Sequence, residues 1–102
     1  MKSFYLKGEN IADWDSFHKE IKHVLGFPDY YGENMNAWID CVDEMSEEEP
    51  ILIQIENCKL LKTRAPEILE ALFECTAFVN YRKLEVGSKP TLILSAFISS
   101  IN

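Results

Sequence analysis

Residues 51–55 read Ile-Leu-Ile-Gln-Ile, a β-branched run with one polar interruption. A strand with one wet face alternates apolar and polar residues. A run this continuous predicts a strand covered on both faces, as in a parallel sheet. Lys2 to Lys7 is a short apolar stretch with aromatics that ends at Gly8, which predicts another strand and a turn. Thr91-Leu92-Ile93-Leu94 predicts the last strand.

Between these strands the apolar spacing changes to threes and fours. Ile11, Trp14, Phe17, Ile21, Val24 and Leu25 predict an amphipathic helix of about four turns, stopped by Gly26 with Pro28 just beyond. Glu33 to about Met45 predicts a second helix. Met35, Trp38, Ile39, Cys41, Val42 and Met45 fill one arc of it, and Asn36, Asp40, Asp43 and Glu44 the other. Asn36, Asp40 and Asp43 stand at i, i+4 and i+7, so they share one exposed ridge, with Ile39 at its border. Leu60 and Leu61 belong to a short helix. Pro66 suits the first turn of another, with Ile68, Leu69, Leu72, Phe73 and Ala77 facing inward.

The order β-α-α-β-α-α-β predicts an α/β fold, a small parallel sheet joined by right-handed crossovers. At 102 residues and 47% hydrophobic, the chain is expected to be one domain, 1–102, with a core that needs no staples. The tail from Ser95 to Asn102 still holds Phe97, Ile98 and Ile101, and its docking is left open.

Seventeen acids against ten bases give a net charge of −7. That discourages nucleic acid and anionic membranes as direct partners, since phosphate is held by Lys and Arg, and it favours a basic partner. The distribution is more telling than the total. Pro28 to Asn57 holds nine acids and no Lys or Arg, so −7 overall against −9 here leaves +2 for the rest. Within that stretch, Glu47-Glu48-Glu49 before Pro50 reads as a solvated loop.

Little in the chain suggests catalysis. Cys41, Cys58 and Cys75 are odd in number and lack CxxC spacing, which indicates neither a disulfide framework nor a zinc ribbon. His18 and His23 lie about 140° apart on one helix, poor geometry for a shared metal. The sequence has no phosphate loop, nucleophile elbow or metal-helix motif. A cysteine nucleophile needs a base in reach, and Cys41 falls on the inward arc, where cysteines are inert. Asp40 with Glu44 could be an acid/base couple, but an exposed i, i+4 carboxylate pair is ordinary solvated surface. No segment resembles a signal peptide or reaches the ~18 apolar residues of a membrane helix. These features predict a reduced, soluble, cytoplasmic protein that is not an enzyme and has no metal or cofactor.

The tract Pro28-Asp29-Tyr30-Tyr31-Gly32-Glu33-Asn34-Met35-Asn36-Ala37-Trp38-Ile39-Asp40-Cys41 places two tyrosines beside an acidic helix face. Rings bury area and ordered carboxylates fix register, a combination suited to protein recognition. The alternative for either tyrosine is a core cap. In its PxYYGEN run, followed by Ala and Asp-Cys, the tract resembles the barstar family, intracellular inhibitors of barnase-like secreted ribonucleases. The order of elements extends the resemblance over the whole chain, to Leu92-Ile93-Leu94-Ser95.

The resemblance implies a three-stranded parallel sheet of order 1-2-3 with helices packed against it. It also implies an inhibitor or immunity protein that plugs a basic ribonuclease site with its loop and second helix, its carboxylates standing where RNA phosphate would sit. By position Asp40 matches the acid that enters the catalytic pocket, and Tyr30 the ring that stacks on the catalytic histidine. Gly32 and Asn34 match loop contacts. The chain departs from the family at Asn36, where an aspartate is usual, and at Ile39, where a tryptophan is. Asp43 adds an acid on the ridge, and Glu44 follows it. A glutamate supplied by the family's later helix is replaced by Cys75, with Glu74 beside it. These changes imply a related but different ribonuclease or toxin as partner, and the free protein is expected to be a monomer. The competing readings are an acidic module for another basic protein, and a small hydrolase.

Overall fold

Three parallel strands, β1 (Lys2–Lys7), β2 (Ile51–Glu56) and β3 (Leu92–Ala96), lie in the order β1-β2-β3. The structure is a computed structural model and describes residues 1–96. Phe97, Ile98 and Ile101 of the tail lie outside the described residues. Register aligns Phe4, Ile53 and Leu94 in one row and Leu6, Ile55 and Ala96 in the next.

The expectation that β2 is covered on both faces is corrected. Ile51, Ile53 and Ile55 are buried, together with Leu6 and Leu92. On the opposite face Tyr5 and Ile93 are exposed, and Leu52 and Gln54 are only half-buried between them. In a sheet ordered 1-2-3, two crossovers of the same hand put both helical connections on one side. The second face is therefore shielded, among the described residues, mainly by neighbouring strands.

The first crossover carries α1 (Trp14–Leu25) and α2 (Met35–Met45). Asp13 caps α1: its carboxylate accepts from the Ser16 amide at 2.8 Å, while the Ser16 hydroxyl oxygen accepts from the Asp13 amide at 3.0 Å. Such a reciprocal cap is worth about 1 kcal/mol. It also starts the helix three residues later than the apolar spacing suggests. Ile11 is buried all the same, from the extended segment that leads in. Just before it, a Cβ on Gly8 would lie 2.6 Å from the Glu56 carbonyl oxygen and 2.7 Å from that of Asn57. Only glycine lets this turn rest against the end of β2.

The second crossover carries α3 (Cys58–Arg64) and α4 (Pro66–Glu85), with Pro66 in the first turn of α4. The inward stripe of α4 is Ile68, Leu69, Leu72, Thr76 and Val79. Phe73 and Ala77 are exposed, which corrects their assignment to the core. From Leu72 the stripe steps by four and three, and Phe73 and Ala77 sit about 100° further round. A polar Thr76 at a core position disguised the register. The core joins this stripe to Trp38, Val42, Phe17 and Ile21, and truncating Ile53 at its centre to Ala should cost about 2–5 kcal/mol.

The ends of α2, α4 and β3 are tied by side chains. The Asn80 amide donates to the Leu92 carbonyl at 2.8 Å and accepts from the Thr91 and Leu92 amides. The Thr91 hydroxyl donates to that of Ser46 at 2.9 Å, and Ser46 donates to the Asp43 carbonyl at 3.2 Å. These bonds fix the C-terminal end of α2 against the sheet.

Candidate functional site

The segment between α1 and α2 is held at both ends. Gly26 closes α1 at φ 69°, in the left-handed region that glycine enters without strain. The Phe27 amide donates back to Lys22, and the Tyr31 amide to Pro28. At the far end the Asn34 side-chain oxygen Oδ1 caps α2 by accepting from the Ala37 amide at 2.8 Å, while the side-chain NH2 donates to the Gly32 carbonyl at 3.3 Å. Asn34 is thus a structural cap, whatever else it touches. A Cβ on Gly32 would meet Ala37 and Asn34 at 3.4 and 3.5 Å, ordinary contact distance. The free fold does not require glycine there.

The two tyrosines separate completely. Tyr30 is 82% exposed and Tyr31 5%. Tyr31 packs against Phe27, centroids 4.8 Å apart, and its hydroxyl hydrogen-bonds to His18 Nδ1 at 2.7 Å in the buried interior. Burial raises the Tyr31 phenol and lowers His18 below its ordinary range, so both stay neutral near pH 7. Of the two tyrosines, Tyr31 is the core cap and Tyr30 is free.

The second helix sorts its acids in a similar way. Tyr30, Asp40, Cys41 and Glu44 border one groove of about 290 Å³, floored by Leu25, Phe27 and Met45. Asp40 and Glu44 are exposed and make no ion pair among the described residues. Asn36 is exposed on the same helix, outside this groove, and Ile39 is half-buried against the core. The exposed-ridge reading is corrected for Asp43. Its carboxylate pairs with Arg82 and Lys83 of α4, each at 3.0 Å, and is only partly exposed. Arg82 lies in turn over the Phe78 ring. Sequence reading missed this clamp because its partners are 39 and 40 residues away. Basic residues in the last turn of a long helix were the one available sign.

Cys41 is half-buried, not fully inward, and burial followed by the Glu44 and Asp40 charges raises its thiol. Burial raises Cys58 and Cys75 as well. All three therefore stay protonated at neutral pH, unlike an activated nucleophile. Cys75 packs partly against the core and Glu74 is exposed on α4; neither borders the groove. Among the described residues no group of three or more His, Cys, Asp or Glu could hold a metal, and no helix is long and apolar enough to cross a membrane.

The arrangement presents an aromatic ring and two unpaired carboxylates around a shallow groove, on a loop and helix held by the fold. It can receive cationic groups. The family model described as Barstar (barnase inhibitor) matches residues 1–94. Among known proteins, "Putative ribonuclease inhibitor YrdF" of Bacillus subtilis (strain 168) is 28% identical over 78 residues, covering 72% of this chain and 85% of that protein.

Proposed function

The chain belongs to the barstar family, and on that footing we propose that it inhibits a barnase-like ribonuclease by blocking the active site. The observation that carries this reading is the groove shared by Tyr30, Asp40 and Glu44, whose two acids have no cation paired to them among the described residues. A ribonuclease site is built for phosphate, and its Lys, Arg and His groups are costly to bury unpaired. Asp40 enters that site and satisfies its cations without offering a phosphodiester to cleave. Tyr30 stacks on a ring of the partner, and Glu44 adds a second anion at the groove wall. Gly32, which the free fold does not require, lets the partner's backbone come close. Asn36 and Ile39 flank this contact and fit it to a ribonuclease other than barnase itself.

Charge also governs encounter. The stretch from 28 to 57 has no Lys or Arg and steers a basic enzyme toward the groove. Such an inhibitor protects the cytoplasm that produces the toxin, has no catalysis of its own, and acts as a single-domain monomer. The test is a pull-down from a panel of small secreted microbial ribonucleases at low and moderate salt, with inhibition measured on every enzyme retained. Retention and inhibition of one member, both weakened by Asp40→Ala, are expected. Retention without inhibition would indicate an acidic module for some other purpose.

A further inference from the structure

A second groove, with a volume of about 380 Å³, lies where the end of the same loop meets the first turns of α1 and α2. Trp14, Asp15 and His18 line it from α1, and Glu33, Asn34 and Met35 from the loop and the start of α2. Trp14 is the first residue of α1 and keeps 39% of its surface exposed. Its indole is nonetheless fixed. It lies nearly parallel to the His18 ring, 23° between planes at 5.9 Å, and edge-on to Phe17 at 5.9 Å. His18 is itself locked by Tyr31. The result is a rigid aromatic shelf facing an open groove.

The acids of this groove differ in availability. Asp15 is taken by Lys19 at 2.9 Å. Glu33 has no ion pair among the described residues and sits at φ 51°, in the left-handed region. Glu33 lines the same groove as Trp14 and His18, and its charge bears on His18 and on Lys19. His18, neutral by burial, adds no charge that would repel a cation there.

We infer that this groove receives an arginine side chain from the ribonuclease, outside its active site, with the guanidinium stacked on Trp14 and paired with Glu33. The inference rests on the reading of the protein as a ribonuclease inhibitor. A planar guanidinium can lie on an indole and donate to a carboxylate at its edge in one pose, which a compact, strongly hydrated ammonium does less well. Tyr30 lines the first groove and Glu33 and Asn34 the second, so one short segment between α1 and α2 contributes to both and a partner seated on it can reach both. A basic partner supplies the complementary charge. The interface then takes in both grooves, one whose acid enters the active site and one that receives an arginine.

The first test needs no ribonuclease. The 15N-labelled chain is titrated with N-acetyl-arginine amide and, in parallel, N-acetyl-lysine amide. The Trp14 indole signal is the reporter, and the fully buried Trp38 indole is the internal reference. A saturable Trp14 shift is expected, about three-fold tighter for arginine than for lysine, and lost in Glu33→Gln. Equal response to both amides, or an unchanged response in Glu33→Gln, overturns the inference. The second test uses the ribonuclease retained in the pull-down. Glu33→Gln and Trp14→Leu should each speed dissociation about three- to ten-fold, and the double variant should lose little more than either. If Asp40→Ala weakens this complex while neither groove variant does, the arginine site falls and the inhibitor reading stands. If Asp40→Ala is also without effect, both fall.

Discussion

Two adjacent tyrosines and two aspartates three residues apart divide along the same line. Tyr30 and Asp40 stand at the groove with no ion pair among the described residues. Tyr31 and Asp43 are consumed internally, one by His18 and the other by Arg82 and Lys83. Residue type does not distinguish the members of either pair. The difference lies in what the rest of the fold brings opposite each side chain. One member of each pair contributes to holding the tract, and the other is the one that the proposed inhibition assigns to a partner.

The sharpest way to break this division is Asp40→Ala. Affinity for the cognate ribonuclease should fall at least about 30-fold, or roughly 2 kcal/mol or more, mainly through faster dissociation. That range comes from truncated interfacial charge pairs, barnase–barstar among them. The denaturation midpoint should not move. An Asp40→Ala protein that loses stability instead would mean that Asp40 serves the fold, as Asp43 does.

The tyrosines should behave in the opposite sense to each other. Tyr31→Phe leaves His18 Nδ1 buried without its partner and should cost about 1–3 kcal/mol of stability, whereas Tyr30→Phe should cost under about 0.5 kcal/mol. Urea titration of the two variants checks this directly. The same pair makes stability depend on pH. Burial lowers His18 below its ordinary value of 6.5, so below that pH the unfolded chain binds a proton that the folded chain resists. Stability should therefore decline as the pH falls from 6.5, down to the folded pKa. Folded His18→Gln should lack that component, and an unchanged pH profile in this variant would assign the decline to other groups.

Asp43→Ala should produce a smaller loss, about 1 kcal/mol of stability, because its two cations remain partly solvated. Its effect on affinity should be well below that of Asp40→Ala. Smallest of all per charge is the Glu47-Glu48-Glu49 loop. Changing all three to Gln should mainly slow association at low ionic strength, with each charge worth under about 1 kcal/mol. Stopped-flow rates across a salt series would show it. A triple variant that loses more affinity than Asp40→Ala would move the contact from the groove to that loop.

Much of this architecture was legible in the amino-acid sequence. The strand at 51–55, the helical spans on either side of the YYG turn, and the helix opened by Pro66 follow from local periodicity and punctuation. Asp40 and Tyr30 were singled out by the family resemblance of the tract around PxYYGEN, and its local chemistry alone left the two tyrosines undistinguished. What could not be read has a common cause, that it depends on residues distant in sequence. Whether Tyr30 or Tyr31 turned inward depended on His18, one crossover element earlier. The fate of Asp43 depended on a helix about 40 residues later. The partial exposure of the second face of the sheet, among the described residues, depended on strand order, which a continuous apolar run does not encode. Trp14, counted toward the core from its spacing, is half-exposed because Asp13 starts the helix there.

The doubly anchored turn from Gly26 to Asn34 has a further consequence, in entropy. A loop ordered only on contact would subtract its conformational freedom from the affinity, roughly 1–2 kcal/mol for each residue fixed. Here the glycine cap, the buried Tyr31 and the Asn34 bonds impose that order during folding. The cost is charged against the stability of the free inhibitor and is absent from the encounter. On the proposed contact, a ribonuclease meets a surface already set, so the complex can be tight without the inhibitor being large.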